Sequence, residues 1–242
     1  TANRQFPTTR WTLIAKAAGC DHSLREEALN ALCRAYWEPV YAFIRSKGRD
    51  KADAQDLTQS FFAEFLMRDQ FGRADSDKGK LRTFLLSSVQ NFMAKDVRAG
   101  KRIKRGRDVS VVALDFINAE GEGGMIEPED HLTPEVVFER QWALTVLEAV
   151  VRSLEKRYEA SGKGELFRAL RFVISPGAET ESYREIARKL GMKENAIRTS
   201  VFRLRQRYAL ELRETIADTV MDDSEIENEI DRLDSRVQSL ER

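Results

Sequence analysis

The sequence predicts an all-α protein: two helical domains joined by an acidic flexible linker and followed by a C-terminal amphipathic helix. Three observations carry this expectation. Apolar residues recur at spacings of three and four along most of the chain, and the alternation of a half-buried strand is nearly absent. The stretch from Asp108 to Thr133 breaks that rhythm with carboxylates, glycines and Pro128. Beyond it, "SYREIARKLGMKENAIRTSVFRLRQRY" sets two short amphipathic segments on either side of a glycine. A chain of 242 residues has ample length to bury a core in one large or two small domains.

The elements follow in order. An N-terminal extension, 1–24, contains "FPTTRWTLIAKAA", a short helix with Thr8 or Thr9 placed to cap it. Residues 25–107 hold at least three helices. "LNALCRAYWEPVYAFIRSKG" is expected to be interrupted near Pro39. "DKADAQDLTQSFFAEFLMRD" follows, and then "GKLRTFLLSSVQNFMAKDVRAG". The last puts Leu81, Phe84, Leu85, Ser88, Val89, Phe92, Met93 and Val97 on one core-facing stripe, with Gly100 as a natural stop. After the linker, 108–134, helices resume in "PEVVFERQWALTVLEAVVRSLEKRY" and "ELFRALRFVI" and reach the two-segment motif, a second domain over 135–219. The acidic end, 220–242, spaces Ile226, Ile230, Leu233, Val237 and Leu240 as a short heptad seam. A seam this short is expected to pack within the chain, the alternative being pairing with another chain.

Charge is balanced in total and segregated locally. Lys plus Arg and Asp plus Glu both number 40. Yet Lys95, Arg98, Lys101, Arg102, Lys104, Arg105 and Arg107 face only Asp96 within 95–107, a net of +6. Within 182–208, Arg184, Arg188, Lys189, Lys193, Arg198, Arg203, Arg205 and Arg207 stand against Glu185 and Glu194, again +6. Residues 108–139 carry nine carboxylates and neither Lys nor Arg. Such blocks point to partners where the total does not.

The motif has a physical reading of its own. Ser182 with Glu185 three residues later makes a capping box for a helix starting at Tyr183. Ile186, Ala187 and Leu190 form its buried side, and Gly191 ends it. A second helix from about Glu194 buries Ile197, Val201 and Leu204 and shows Asn195, Arg198, Thr199, Phe202, Arg203 and Arg205 outward. This is helix-turn-helix geometry, and its chemistry suits DNA: Arg reads guanine edges, Asn pairs with adenine, and flanking cations meet phosphate. The competing explanation is a solvated Arg-rich bundle face.

"YWEPVYAFIRSKG", "DAQDLTQSFF" and "KGKLRTFLLSSVQNFMAKDVRAGKR", in that order before a helix-turn-helix, resemble bacterial RNA polymerase sigma factors of the extracytoplasmic-function class of the sigma-70 family. The resemblance covers roughly residues 25–107 and 135–215, and "FPTTRW" looks like the opening of planctomycete-type members. It implies a sigma domain 2-like first domain, a sigma domain 4-like second domain, and transcription initiation as the activity. Asp53, Asp56, Leu57 and Gln59 match the segment that docks on the clamp helices of the largest subunit of core RNA polymerase. Gly72 through Arg98 matches the part that melts the promoter and holds the −10 element. There Lys78, Lys80, Arg82, Asn91, Lys95, Arg98, Lys101 and Arg102 are the implied strand and backbone contacts. Phe84 and Phe92 are aromatic stacking candidates, but their register favours the core. The helix-turn-helix matches the reader of the −35 element, with Arg198 as the foremost base-reading candidate, supported by Asn195, Thr199 and Phe202. Arg184, Lys193, Arg203 and Arg205 would hold phosphates. Two departures stand out: Lys193 occupies a position where Ser often caps, and the acidic tail after Asp218 is longer than a minimal member needs. An anti-sigma protein is a further candidate partner.

Other classes fit less well. A DNA-binding regulator acting without core polymerase is the alternative, though it has no need of the first 107 residues. An enzyme is not expected, with no catalytic residue, cofactor or small-molecule substrate indicated: "GEGG" is flanked by acid and would repel phosphate, and only His22 and His131 are present. Cys20, His22 and Cys33 match no strong zinc spacing, so no metal is expected. Two cysteines build no disulfide framework, no apolar leader opens the sequence, and no run is long enough to cross a bilayer, so a cytoplasmic, reduced setting without a membrane partner is the expectation.

The charge blocks lead to the expectation that the acidic linker, the tail, or both screen the basic faces in the free protein. For the tail, deletion from Asp218 onward is expected to raise DNA affinity at fixed low salt. An unchanged affinity in a filter-binding titration means that the tail screens nothing.

Overall fold

The computed structural model describes residues 22–67, 81–98, 132–174, 181–217 and 223–238. The helix expected in the N-terminal extension, Gly100 and all but the last residues of the 108–134 linker lie outside them. Among the described residues the protein is all-helical, with eight α-helices and no strand. They are α1 (His22–Ser46), α2 (Lys51–Met67), α3 (Leu81–Arg98), α4 (Pro134–Ala160), α5 (Gly164–Leu170), α6 (Tyr183–Lys189), α7 (Glu194–Ala217) and α8 (Ile226–Gln238). No described helix is long and apolar enough to cross a membrane.

The chain forms two compact units. Among the described residues, one holds α1, α2, α3, α4 through Thr145, and the short turn Asp223–Glu225. The other holds α4 from Val146 onward, then α5, α6, α7 and α8.

In the first unit, α1 runs unbroken through Pro39, correcting the expected interruption. Pro39 removes a backbone donor and crowds the preceding turn, at a cost of about 3 kcal/mol. Tyr36, Val40, Phe43 and Ile44 around it are fully buried, and each such apolar side chain returns about 1.5–3 kcal/mol. Burial therefore outweighs the local penalty. Cys33, on the same face, is wholly buried, and desolvation pushes its thiol up to about 12. The protonated form dominates at neutral pH, which makes the thiol a poor nucleophile.

The Asp50 carboxylate caps α2, accepting from the Asp53 amide at 2.8 Å. The helix buries Ala54, Thr58, Phe61, Phe62 and Phe65, and Thr58 donates its hydroxyl to the Ala54 carbonyl at 2.7 Å. On α3, Leu81, Leu85, Val89 and Met93 are buried at successive spacings of four, matching the expected stripe. Phe84 and Phe92 are half-buried and meet the α2 rings edge-on, Phe84 on Phe65 at 5.9 Å and Phe92 on Phe61 at 5.6 Å. The core explanation of both aromatics thus fits their packing.

Pro134 starts α4 where a missing N–H costs nothing. Its first turns bury Val137, Phe138 and Trp142 in the first unit. Polar ties accompany that burial: Gln90 to Glu135 at 3.0 Å, Gln141 to Glu38 at 3.1 Å, and a buried ion pair between Arg82 and Glu139 at 3.1 Å. The Arg82 guanidinium also lies 4.4 Å from the Trp142 ring centroid.

In the second unit, Tyr158 of α4 packs on Phe167 of α5, and Ser153 donates to Glu211 of α7 at 2.6 Å. α8 packs against α7, with Leu212, Ile216, Ile226 and Leu233 buried and Arg213 paired with Glu227. The expected seam is altered in one respect. Glu229, with Arg232 at 3.7 Å, is buried between Ile226 and Leu233, while Ile230 is half-buried. Both positions lie three or four residues from their apolar neighbours, so the stripe is wide enough to take either. Val237 and Leu240 are not described at side-chain level.

The buried pair in the first unit gives a direct stability test. Arg82→Ala leaves the Glu139 carboxylate without its buried cation and is expected to destabilise the protein by about 3–5 kcal/mol in urea unfolding. The double replacement Arg82→Met with Glu139→Leu is expected to recover most of that loss, because the two charges of the pair are then removed together.

Candidate nucleic-acid interface

In α6 and α7 the expected local logic operates. The Ser182 hydroxyl accepts from the Glu185 amide at 3.3 Å, and the Glu185 carboxylate accepts from the Ser182 amide at 3.3 Å, completing the capping box. The same hydroxyl donates to Glu185 Oε2 at 2.9 Å. These bonds, the hydroxyl's first, hold the Glu185 carboxyl below the usual range. Ile186 and Ala187 are buried and Leu190 is half-buried. Gly191 adopts φ of 62°, a left-handed conformation that ends α6, and the Met192 amide closes back on the Ala187 carbonyl at 2.9 Å. The Lys193 carbonyl then accepts from Ala196 and Ile197 to start α7.

With Ile197, Val201 and Leu204 buried, the opposite side of α7 turns to solvent. All eight residues proposed for upstream DNA contact are exposed: Arg184, Lys193, Asn195, Arg198, Thr199, Phe202, Arg203 and Arg205. Phe202 is 61% exposed, a large aromatic ring set among cations. Such a ring suits the methyl group of a thymine. The Thr199 hydroxyl already donates to the Asn195 carbonyl at 2.9 Å, so its methyl group and an acceptor lone pair are what it offers to any further contact. Arg198 is held on two sides: Nε and Nη2 donate to Glu194 Oε1 at 3.2 and 2.6 Å, and its guanidinium carbon lies 5.5 Å from the Tyr183 ring centroid. An exposed i,i+4 pair of this kind adds only about 0.3–0.5 kcal/mol to stability.

The first unit presents a smaller set. Asn91 and Lys95 are exposed on α3 and line a hollow of about 120 Å³ with Phe61, Glu64, Phe65, Ser88 and Phe92. Arg82 is different from its expected role: it is buried against Glu139 and Trp142, so its guanidinium faces the protein and not a nucleic-acid strand. Its neighbours in sequence, Lys78 and Lys80, lie outside the described residues, as do Lys101 and Arg102, and the Arg98 side chain is not described. Asp96, the one acid in the basic block, is paired with Arg49 at 3.0 Å. On α2, Asp53, Asp56 and Gln59 are exposed along one side and Leu57 is half-buried, a surface of acid and amide groups.

Glu194 and Tyr183 are the residues missing from the sequence-based set. The signal for Glu194 was present as a carboxylate four residues before Arg198. Tyr183 gave none, since its approach to Arg198 depends on how α6 crosses α7. Among the described residues no group of three or more His, Cys, Asp or Glu is arranged to hold a metal ion.

No known family model, no curated protein and no solved structure matches this chain.

The capping box yields a test by titration. Because the folded carboxyl is depressed, its stabilising contribution is present above the ordinary glutamate value and is lost as pH falls through the folded one. The Glu185 carboxyl carbon is expected to titrate below ordinary glutamates by NMR, and Ser182→Ala to move its midpoint upward. An identical midpoint in both proteins would refute the hydroxyl as the cause.

Proposed function

We propose that this chain is a sigma-type initiation factor of the extracytoplasmic-function class. It binds core RNA polymerase, recognises −35 and −10 promoter elements through separate helical units, and promotes melting. The observation that carries the proposal is the outward set on α6 and α7: Arg184, Lys193, Asn195, Arg198, Thr199, Phe202, Arg203 and Arg205 are exposed while the apolar register is buried. A solvated bundle face explains exposed arginines. The exposed Phe202 ring, grouped with Asn195 and Thr199 among those arginines, supports a base-reading face over that rival.

Each part has a physical role. The cations of α6 and α7 neutralise phosphate and fix register, and Arg198 with Asn195 and Phe202 reads base edges. In the first unit, exposed Lys95 and Asn91 supply a cation and an amide for an unpaired strand. Lys78, Lys80, Arg98, Lys101 and Arg102 add strand contacts in the same proposal, whereas Arg82 drops out of it. Asp53, Asp56 and Gln59 on α2 offer acid and amide groups to the basic surface of the polymerase clamp helices, with Leu57 at its edge.

Run-off transcription with purified bacterial core polymerase tests this. Adding the chain is expected to produce discrete transcripts from promoters selected by the resulting holoenzyme. Arg198→Ala is expected to lose about 1–3 kcal/mol of upstream-element recognition, and Asp53→Arg with Asp56→Arg to abolish association with the core while leaving the fold intact. Selective DNA binding without any association with core polymerase would favour the regulator alternative instead.

A further inference from the structure

We infer that Glu194 is a positioning residue that sets base preference through Arg198. The inference rests on the proposed DNA-reading role of α7. It goes further by assigning specificity to a residue that has no need to touch DNA itself.

The argument starts from donor geometry. Arg198 has five N–H donors in a fixed planar fork. Glu194 Oε1 takes Nε and one Nη2 hydrogen, at 3.2 and 2.6 Å. Bidentate recognition of guanine O6 and N7 requires two donors on one edge, and Nη1 with the second Nη2 hydrogen supply that edge. The Tyr183 ring, 5.5 Å from the guanidinium carbon, braces the group from α6. The side chain that reads the base is thereby biased towards one pose before DNA arrives, which lowers the ordering cost of binding.

The carboxylate also acts against wrong sequences. Guanine presents only acceptors at its major-groove edge, and so does every phosphate. Glu194 repels them all unless Arg198 stands between. Its charge thus weakens binding wherever the arginine fails to engage a base, and discrimination comes from that penalty as much as from the contact. Glu194 also lies in the first turn of α7, where a carboxylate favours the helix dipole, so a purely structural role is the rival to be separated.

The experiment uses the full chain assembled with bacterial core polymerase and a library of promoter duplexes randomised across the upstream element. Wild type, Glu194→Gln, Glu194→Asp and Arg198→Ala are compared by base enrichment and by affinity for non-specific duplex. Glu194→Gln is expected to lower the preference at one guanine position at least about fivefold while non-specific affinity stays level or rises. Glu194→Asp keeps the charge at the helix start but is too short to hold Arg198, and is expected to lose the same preference with thermal stability retained. In the Arg198→Ala background, Glu194→Gln is expected to raise non-specific affinity by removing the repulsion but to restore no guanine preference at that position. Unaltered enrichment in both Glu194 variants overturns the inference while leaving the DNA-reading role standing, and so does a loss that follows thermal stability alone. If wild type itself enriches no sequence, the proposed function falls and this inference with it.

Discussion

A guanidinium almost without water organises the first unit. Arg82 has 7% of its side chain exposed, with Glu139 at 3.1 Å and the Trp142 ring beneath it. Removing a cation from water costs several kcal/mol, and only a close carboxylate, further hydrogen bonds and an aromatic face offset that. The arrangement therefore demands that the start of α4 lie against α3 in one register. Gln90 with Glu135 and Glu38 with Gln141 lie on either side of it, so a slip of one residue along α4 would break all three contacts. Apolar burial of Phe138 and Trp142 supplies the driving force, and the polar pairs supply the alignment.

The second unit works by a different division of labour. Its core side is apolar and local in origin, with capping at Ser182 and termination at Gly191 set by neighbouring residues. Its outer side is polar and loosely held, and exposed pairs such as Lys189 with Glu181 add little to stability. Stability and the proposed recognition therefore fall on opposite faces of α7, and either face can change with small effect on the other. The exception is Arg198, whose attachment to Glu194 and Tyr183 joins the two helices through the very side chain proposed to meet a base.

Much of this was legible in the residues because it is local. The capping box, the glycine stop and the three- and four-residue apolar spacings of α3 and α7 are short-range consequences of propensity and periodicity. What was not legible is tertiary. Pro39 reads as a break until the burial of Val40, Phe43 and Ile44 is known, and then the local penalty loses. Arg82 reads as a surface cation because its partners are 57 residues away on another helix. Glu229 stands between the seam positions Ile226 and Ile230, and only the packing of α8 on α7 buries it. In each case the deciding term was a contact between elements, which no window along the chain contains.

The burial of Cys33 carries a consequence for oxidative chemistry. Peroxide and electrophiles attack the thiolate, and this sulfur is shielded from solvent and protonated at neutral pH. It is unsuited to sense oxidants in the folded chain. A sulfenic acid or mixed disulfide found at this position would instead record that α1 had already come away from its core, making the residue a chemical marker of damage and not a switch.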